Sequence, residues 1–558
     1  MKFSGHPVIS YKDIYGEIVS EQFADLFKDI PTNVVIEIVS NFMAKIHTEE
    51  TSAIHQEEIV KNWIERFPNQ DRNEILEKLS EFDFIFFNNV SSLFFIEHAL
   101  LNFQPHREID DLTPKEEYQL FRAYLKATQE WTEAQHASMN VKAIKDTEDF
   151  IKLILPAYLP YYEFRKFKTF WIELAKAIYF FKFIERDNKL GPYLNDFLTV
   201  QKVATWEEYL FRLTSMYIQP FILGRKSVLI VDDKDDETDK FLENIVIEVS
   251  EFKKEQDFLK LRLKPVYKLS NRHFSFFNFN FLVDKIFQSI QFDFATILKN
   301  KGVVKGLDEF KTTYYSEEFA EKYFLNEVVP YLIGKRDRVI SLNGDKLANQ
   351  LGAKGPDYYL RCGTKIFVIE LKDILISAKV KWSLDFDVVK DEILRKLMVN
   401  ERGKPKGITQ LVNFITTFKK DGFFFDKLNI VDANIYPILI CTDDSLNAFG
   451  VNRILTTEFR TMLRSHSIPA KVNDPILIHI DTIIQYQDII HDKKIPVAHL
   501  FNAYIDFVTR LNKWDEIPFH WFISFKDFLP KYLYDKGIRV SLFPRSLGKV
   551  LSEIIKEK

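Results

Sequence analysis

Residues 354–376, KGPDYYLRCGTKIFVIELKDILI, predict a buried β-hairpin with charged residues where it opens and closes. Pro356 lacks an amide and biases its neighbour away from helix, so the stretch begins extended. A turn falls at Arg361 to Lys365. Ile366 to Ile369 is then a continuous β-branched and aromatic run that needs cover on both faces. Glu370-Leu371-Lys372 closes it.

Strand side chains alternate with a period of two, so Glu370 and Lys372 point to one side while Asp357, on the preceding strand, folds back beside Glu370. Two carboxylates meeting at one point repel unless a cation lies between them. With one, they make a hard oxygen site suited to Mg2+, with Mn2+ as its substitute. The Lys372 ammonium can then orient water or offset charge on a phosphate. Glu-x-Lys triplets are common in themselves: Glu251-Phe252-Lys253 and Glu309-Phe310-Lys311 read as charged ends of ordinary elements. Only Glu370-Leu371-Lys372 follows a Pro-Asp, a turn and a buried strand.

On Pro356, Asp357, Glu370 and Lys372 the stretch resembles the PD-(D/E)xK restriction-endonuclease-like superfamily. The resemblance covers roughly residues 310–485. It implies an α/β (α+β) core, a central mixed sheet flanked by helices, here preceded by a large, mostly α-helical N-terminal region. It implies Asp357, Glu370 and the backbone carbonyl of Leu371 as metal ligands, Lys372 as a catalytic group, and hydrolysis of DNA that leaves a 5′ phosphate. In that superfamily a Glu on the helix before the sheet often joins the metal site. Glu321 is the candidate here, as ligand and auxiliary, and Glu318 the runner-up; a solvent-facing role is the alternative for either. Gln410 matches a Gln found after the catalytic strand in parts of the superfamily, where it orients water or contacts a phosphate.

The elements around the hairpin follow the same order. Ser316 to Leu332 predicts an amphipathic helix capped by Ser316, with Phe319, Tyr323 and Phe324 on its apolar side. Val339 to Leu342 predicts a strand, Gly344-Asp345 a turn, and Ser383 to Asn400 a helix. Ile374 to Ile376 extends the hairpin's second strand. Lys406 and Gln410, four residues apart, share a face if a helix begins near Gly407. Lys379, Lys381, Lys404 and Lys406 form a basic rim for a phosphate backbone. Ile435 to Cys441 and Pro475 to Ile480 predict further strands, with a helix at Val451 to Leu463 between them. Asp443 after the first of these is an ordinary acidic turn residue.

At 558 residues the chain is too long for a single core. Composition shifts suggest five regions: 1–105 helical, 106–230 helical, 240–300 mixed α/β, 301–495 the nuclease-like core, and 496–558 an extension covering that core or an oligomer interface. The net charge of −4 excludes a polycation, so nucleic acid must be met by a local basic face. Two cysteines, Cys362 and Cys441, exclude a disulfide scaffold and cannot alone make a zinc site. A reducing cytoplasm fits, and neither a secretory leader nor a membrane span is legible.

In the first half, Pro31-Thr32 separates two amphipathic helices, and Thr113-Pro114-Lys115-Glu116 is a helix start with a capping box. Tyr162 to Glu185 interleaves basic and aromatic residues but reads as a helix with its rings inward. Ile245 to Val249 and Phe258 to Leu263 alternate like strands, Phe274 to Phe277 reads as a third, and Phe281 to Leu298 as helix. Asp232 to Asp239 reads as an acidic loop without EF-hand spacing, and Gly224 to Ser227 lacks the spacing of a phosphate loop.

The expectation is therefore a Mg2+-dependent endodeoxyribonuclease in the cytoplasm, with DNA as partner, controlled by a homo-oligomer or a regulatory protein, in bacterial genome defence or mobile-element control. Its competitors are a catalytically inactive nuclease-like module that binds DNA or protein, an RNase on the same fold, and a helical interaction protein.

Overall fold

The computed structural model describes residues 8–541 and 548, apart from 17–20, 50–52, 81–83, 107–110, 139–143, 145, 166, 223–226, 333–339, 353–354, 418–424, 469, 492–494 and 511–517. Gly224 to Lys226, Lys354, Trp514 and the C-terminal tail from 549 lie outside the described residues. A large, mostly helical N-terminal region precedes a mixed α/β core built on a multi-stranded sheet. The chain divides into two compact units. The first comprises Met1–Ala137, Glu163–Glu173 and Asn195–Asp293, and the second Ser138–Tyr162, Leu174–Leu194 and Phe294–Lys558. Among the described residues, no helix is long and apolar enough to cross a membrane.

The first unit packs helices with a three-stranded antiparallel sheet in the order β1-β3-β2, where β1 is Val228–Ile230, β2 Val266–Ser270 and β3 His273–Phe276. The helix Pro114–Ser138 starts as its sequence predicts. The Thr113 amide donates to Glu116 Oε2 at 2.7 Å, and the Glu116 amide donates back to Thr113 Oγ1 at 3.3 Å. Three expectations fail nearby. Ile245 to Val249 forms no strand, only an isolated bridge from Val246 to Val266. Leu259–Leu263 is a short helix rather than a strand, because the chain turns through positive φ at Asp257 and Phe258 and Arg262 pairs inward with Glu163 and Asp284. The acidic run is not all loop: Asp235 caps a helix Asp236–Glu243, whose first-turn acids suit the positive end of the helix dipole.

Glu97, in the helix Asn89–Leu101, is 2% exposed. Burial pushes its carboxyl up to about 8, with Lys254 opposing the shift and Glu130 adding to it. The folded state then keeps a proton that the unfolded chain releases near 4.5. Stability should fall as pH rises from about 4.5 to about 8, and Glu97→Gln should flatten that slope. Urea melts across this range test it; parallel curves for wild type and variant would remove Glu97 as the cause.

The second unit holds a six-stranded mixed sheet in the order β4-β5-β6-β7-β8, with β9 also beside β7. These strands are β4 Ile340–Asn343, β5 Tyr358–Cys362, β6 Lys365–Lys372, β7 Asn434–Cys441, β8 Lys471–Val472 and β9 Ile476–His479. The expected hairpin is β5–β6, with β4 antiparallel to β5 and β7 parallel to β6. This makes β6 central, which is why its run is apolar on both faces. One face, with Ile366 and Val368, packs on Val389 and Ile393 of the helix Phe386–Leu397 and on Ile408 and Leu411 of the helix Gly407–Thr417. On the other, Phe367 stacks on Tyr436 and both meet Phe501 of the helix Val497–Thr509. Part of the expected C-terminal extension is thus cover for the sheet.

Three boundaries differ from expectation. The helix Thr147–Tyr158, expected within the helical region 106–230, places Ile151 and Leu155 in the core of the sheet-bearing unit. Gly344–Leu351 is a helix rather than a turn, with Asn343 as its cap. Ile374 to Ile376 leaves the strand, since the Ile376 amide donates to Asp443 Oδ2 at 2.7 Å instead of to a neighbouring strand.

Candidate functional site

Register brings the two carboxylates together. Tyr358 pairs with Ile369 across the hairpin, so Asp357, one step before it, lies opposite Glu370, one step after. Asp357 Oδ2 accepts the Leu371 amide at 2.8 Å, which fixes its side chain at the end of β6. Glu370 is fully buried. Its Oε2 accepts Lys372 Nζ at 2.8 Å, while no N–H or hydroxyl reaches its buried Oε1, and the Asp357 carboxyl is close enough to share a proton with Glu370.

Three oxygens converge on the Lys372 ammonium: Glu370 Oε2 at 2.8 Å, the Leu371 carbonyl at 2.9 Å and Asp357 Oδ2 at 3.7 Å. These belong to the groups the sequence nominates as metal ligands, and here the chain's own cation stands among them. One ammonium cannot balance two carboxylates. Burial, and then the charge of Asp357, push the Glu370 carboxyl well above the usual carboxylate range. Burial opposes the Lys372 charge, but Asp357, Glu370 and Glu321 outweigh it and raise its pKa above the ordinary lysine value.

Glu321 comes to the site from a helix of unusual geometry. Leu307–Phe310 is α-helical, Lys311–Phe324 is π-helical and Leu325–Val328 is α-helical again. Such wide turns are rare and cluster at functional sites. Hydrogen bonds from i to i+5 bring residues five apart together, as where Phe319 stacks on Phe324 with ring centres 5.4 Å apart. Ser316 is therefore inside the helix and not its cap; its Oγ donates to Asp373 Oδ2 at 3.0 Å. Glu321, Glu317, Asp345 and Asp357 line one cleft of about 310 Å³. Glu318, the runner-up, is not in that lining and instead pairs with Lys322 at 3.3 Å.

The basic residues spread out. Lys406 is half-buried, and its pKa is lowered by burial first and then by Lys396, Arg395 and Lys372, which places it within reach of the site's field. Gln410 is half-buried one turn further along the helix Gly407–Thr417. Among the described residues its side chain makes no hydrogen bond, so it is not joined to the carboxylates. Lys379 and Lys404 are exposed, but Lys381 is only 4% exposed. It turns into the protein and drops out of an exposed rim.

Gly407 fixes where that helix begins. Its φ is +34°, and a Cβ there would meet the Leu397 carbonyl oxygen at 2.6 Å. Gly407→Ala should cost roughly 1–3 kcal/mol, read as a lower urea midpoint. An unchanged midpoint would mean the backbone relaxes without cost.

Sequence reasoning missed Asp345 and Asp373. Gly344-Asp345 reads as a turn in the sequence, and the helix Gly344–Leu351 presents Asp345 to the cleft. Asp373 directly follows Lys372 in the sequence, and that adjacency was its only signal. The histidines stay outside the site: His479 Nε2 lies 3.0 Å from the Thr442 carbonyl, and His520 Nε2 lies 2.7 Å from the Arg510 carbonyl.

The chain matches no protein-family model, no curated protein and no solved structure.

The functional reading therefore rests on the site itself. Among the described residues, no three His, Cys, Asp or Glu side chains are grouped so as to hold a metal ion. The donors that do converge are two carboxylates and a carbonyl, with Glu321 in the same cleft as Asp357. All are hard oxygens suited to Mg2+ or Mn2+. Burial and the neighbouring Asp357 charge make the doubly charged carboxylate pair costly, and either a proton on Glu370 or a cation would relieve that cost. Asp357, Glu370 and the Leu371 carbonyl would hold the cation, while Glu321 shares the cleft with Asp357 without closing into a three-carboxylate group.

Proposed function

We propose that this chain is a divalent-metal-dependent nuclease that hydrolyses DNA phosphodiester bonds on a restriction-endonuclease-like core. The observation that carries this reading is the convergence of buried Glu370, Asp357 and Lys372 at the end of the central strand. A bound Mg2+ lowers the pKa of water and offsets charge on the phosphate. The residues supply the rest. Glu370 and Asp357 fix the cation's place at the end of β6. Lys372, released from Glu370, orients the attacking water or meets the charge on the phosphate. Lys406 adds positive charge nearby, and Gln410 contacts a phosphate when substrate is present. Exposed Lys379 and Lys404 contact the backbone away from the reacting bond.

DNA as substrate, control by a second copy or a regulatory protein, and a part in genome defence come from the resemblance and from the large helical region beside the core. The second reading is an inactive nuclease-like binding module. It is favoured by Lys372 itself, which fills the oxygen cluster and forms an ion pair that needs no metal.

Purified protein incubated with plasmid, linear DNA and structured RNA in Mg2+, Mn2+ or EDTA decides between these. Cleavage of DNA that requires the cation and is lost in Glu370→Ala is the expected result. Cleavage of RNA alone would reassign the substrate, and DNA binding without cleavage under every condition would favour the inactive module.

A further inference from the structure

Asp373 follows Lys372 where β6 ends, and its side chain is 3% exposed. Its partners come from two other elements. Oδ1 accepts Thr442 Oγ1 at 2.8 Å, from the residue just after β7. Oδ2 accepts Ser316 Oγ at 3.0 Å and pairs with Lys311 Nζ at 3.0 Å. A carboxylate this buried is costly unless its charge is met and its oxygens are hydrogen-bonded; here Lys311 meets the charge and each oxygen accepts one hydroxyl.

Lys311 and Ser316 lie in the same π-helical stretch as Glu321, and the three positions follow at intervals of five. In an α-helix, residues five apart diverge by roughly 140° around the axis. With hydrogen bonds from i to i+5 the divergence falls to roughly 50°, so successive members of the series are neighbours on the helix surface. Two of them grip Asp373. The third, Glu321, lines the cleft with Asp357 and acts on Lys372.

We propose that Asp373 is a positioning residue: through Lys311 and Ser316 it sets the π-helical stretch against the end of β6 and so places Glu321 beside the cation site. This rests on the cation reading of that site. Asp373 touches neither the cation nor substrate, and its effect passes through Glu321. Outer partners of this kind typically change metal affinity by about 10–100-fold.

The test is Mn2+ binding to the full chain, by calorimetry without nucleic acid, for wild type, Asp373→Asn, Glu321→Gln and the double variant. Asp373→Asn should weaken Mn2+ about tenfold, and in the Glu321→Gln background it should add nothing further. A carboxylate that only ties helix to sheet would lower the melting temperature and leave the Mn2+ affinity unchanged, or weaken it equally in both backgrounds; either result overturns the inference. Should Asp373→Asn fail to fold, Ser316→Ala removes one bond of the same grip and should weaken Mn2+ in the same direction. Absence of Mn2+ binding in the wild type would overturn the cation reading, and the inference with it. Binding in the wild type with an equal affinity in Asp373→Asn would overturn the inference alone.

Discussion

Lys372→Met should lower the free energy of unfolding by roughly 3–5 kcal/mol in metal-free buffer. Methionine keeps most of the apolar stem, so the loss is electrostatic. In the wild type one ammonium lies 2.8 Å from Glu370 and 3.7 Å from Asp357, and its side chain is only 12% exposed. Without it, two carboxylates face each other in a site that water scarcely reaches. Glu370 would take up a proton more readily still, which limits the loss without abolishing it. Millimolar Mg2+ should then restore part of the stability, because a ligand that binds only the folded state shifts the equilibrium toward it. Urea melts in EDTA and in Mg2+ measure both effects. A variant as stable as wild type in EDTA would refute the electrostatic account of the site, and equal melts with and without Mg2+ would remove the cation from it.

Glu370→Gln should change stability in the opposite direction while abolishing activity. The substitution removes the charge that burial and Asp357 disfavour, leaving Asp357 and Lys372 as a neutral pair. Two carboxylates share one ammonium here, so the charge lost is the uncompensated one and its removal should leave stability unchanged or raised. The same change removes the buried carboxylate, the group best placed to hold a cation. Cleavage should fall on the order of a thousandfold or more. Calorimetry and the cleavage assay are read together: a variant that melts well below wild type contradicts the charge argument, and one that cleaves normally contradicts the site.

Much of the core was legible in the sequence because it is local. The hairpin follows from an apolar run bounded by a turn, and once the hairpin is fixed, a period of two forces Glu370 and Lys372 to one side and Asp357 opposite Glu370. The strands at Ile435 to Cys441 and Pro475 to Ile480 were legible for the same reason, being short apolar runs with punctuation at both ends. Alternation failed at Phe258 to Leu263, where six residues suit a short helix as well as a strand and two positive φ angles decided the matter.

Which carboxylates meet and which lysine stands beside them can be read from residue order, since register within one hairpin needs no distant partner. Where the remaining groups stand depends on contacts between distant segments. Lys311, Ser316 and Glu321 are carried by the π-helical turns of Lys311–Phe324, where the apolar spacing predicts an α-helix. Asp373 acquires its role from Thr442, 69 positions away, and from Ser316, 57 positions away. The Lys372 ammonium, expected beside a metal, lies among the oxygens that would hold one. Burial leaves it no better-solvated position, and two carboxylates with one counter-ion make it the nearest cation available.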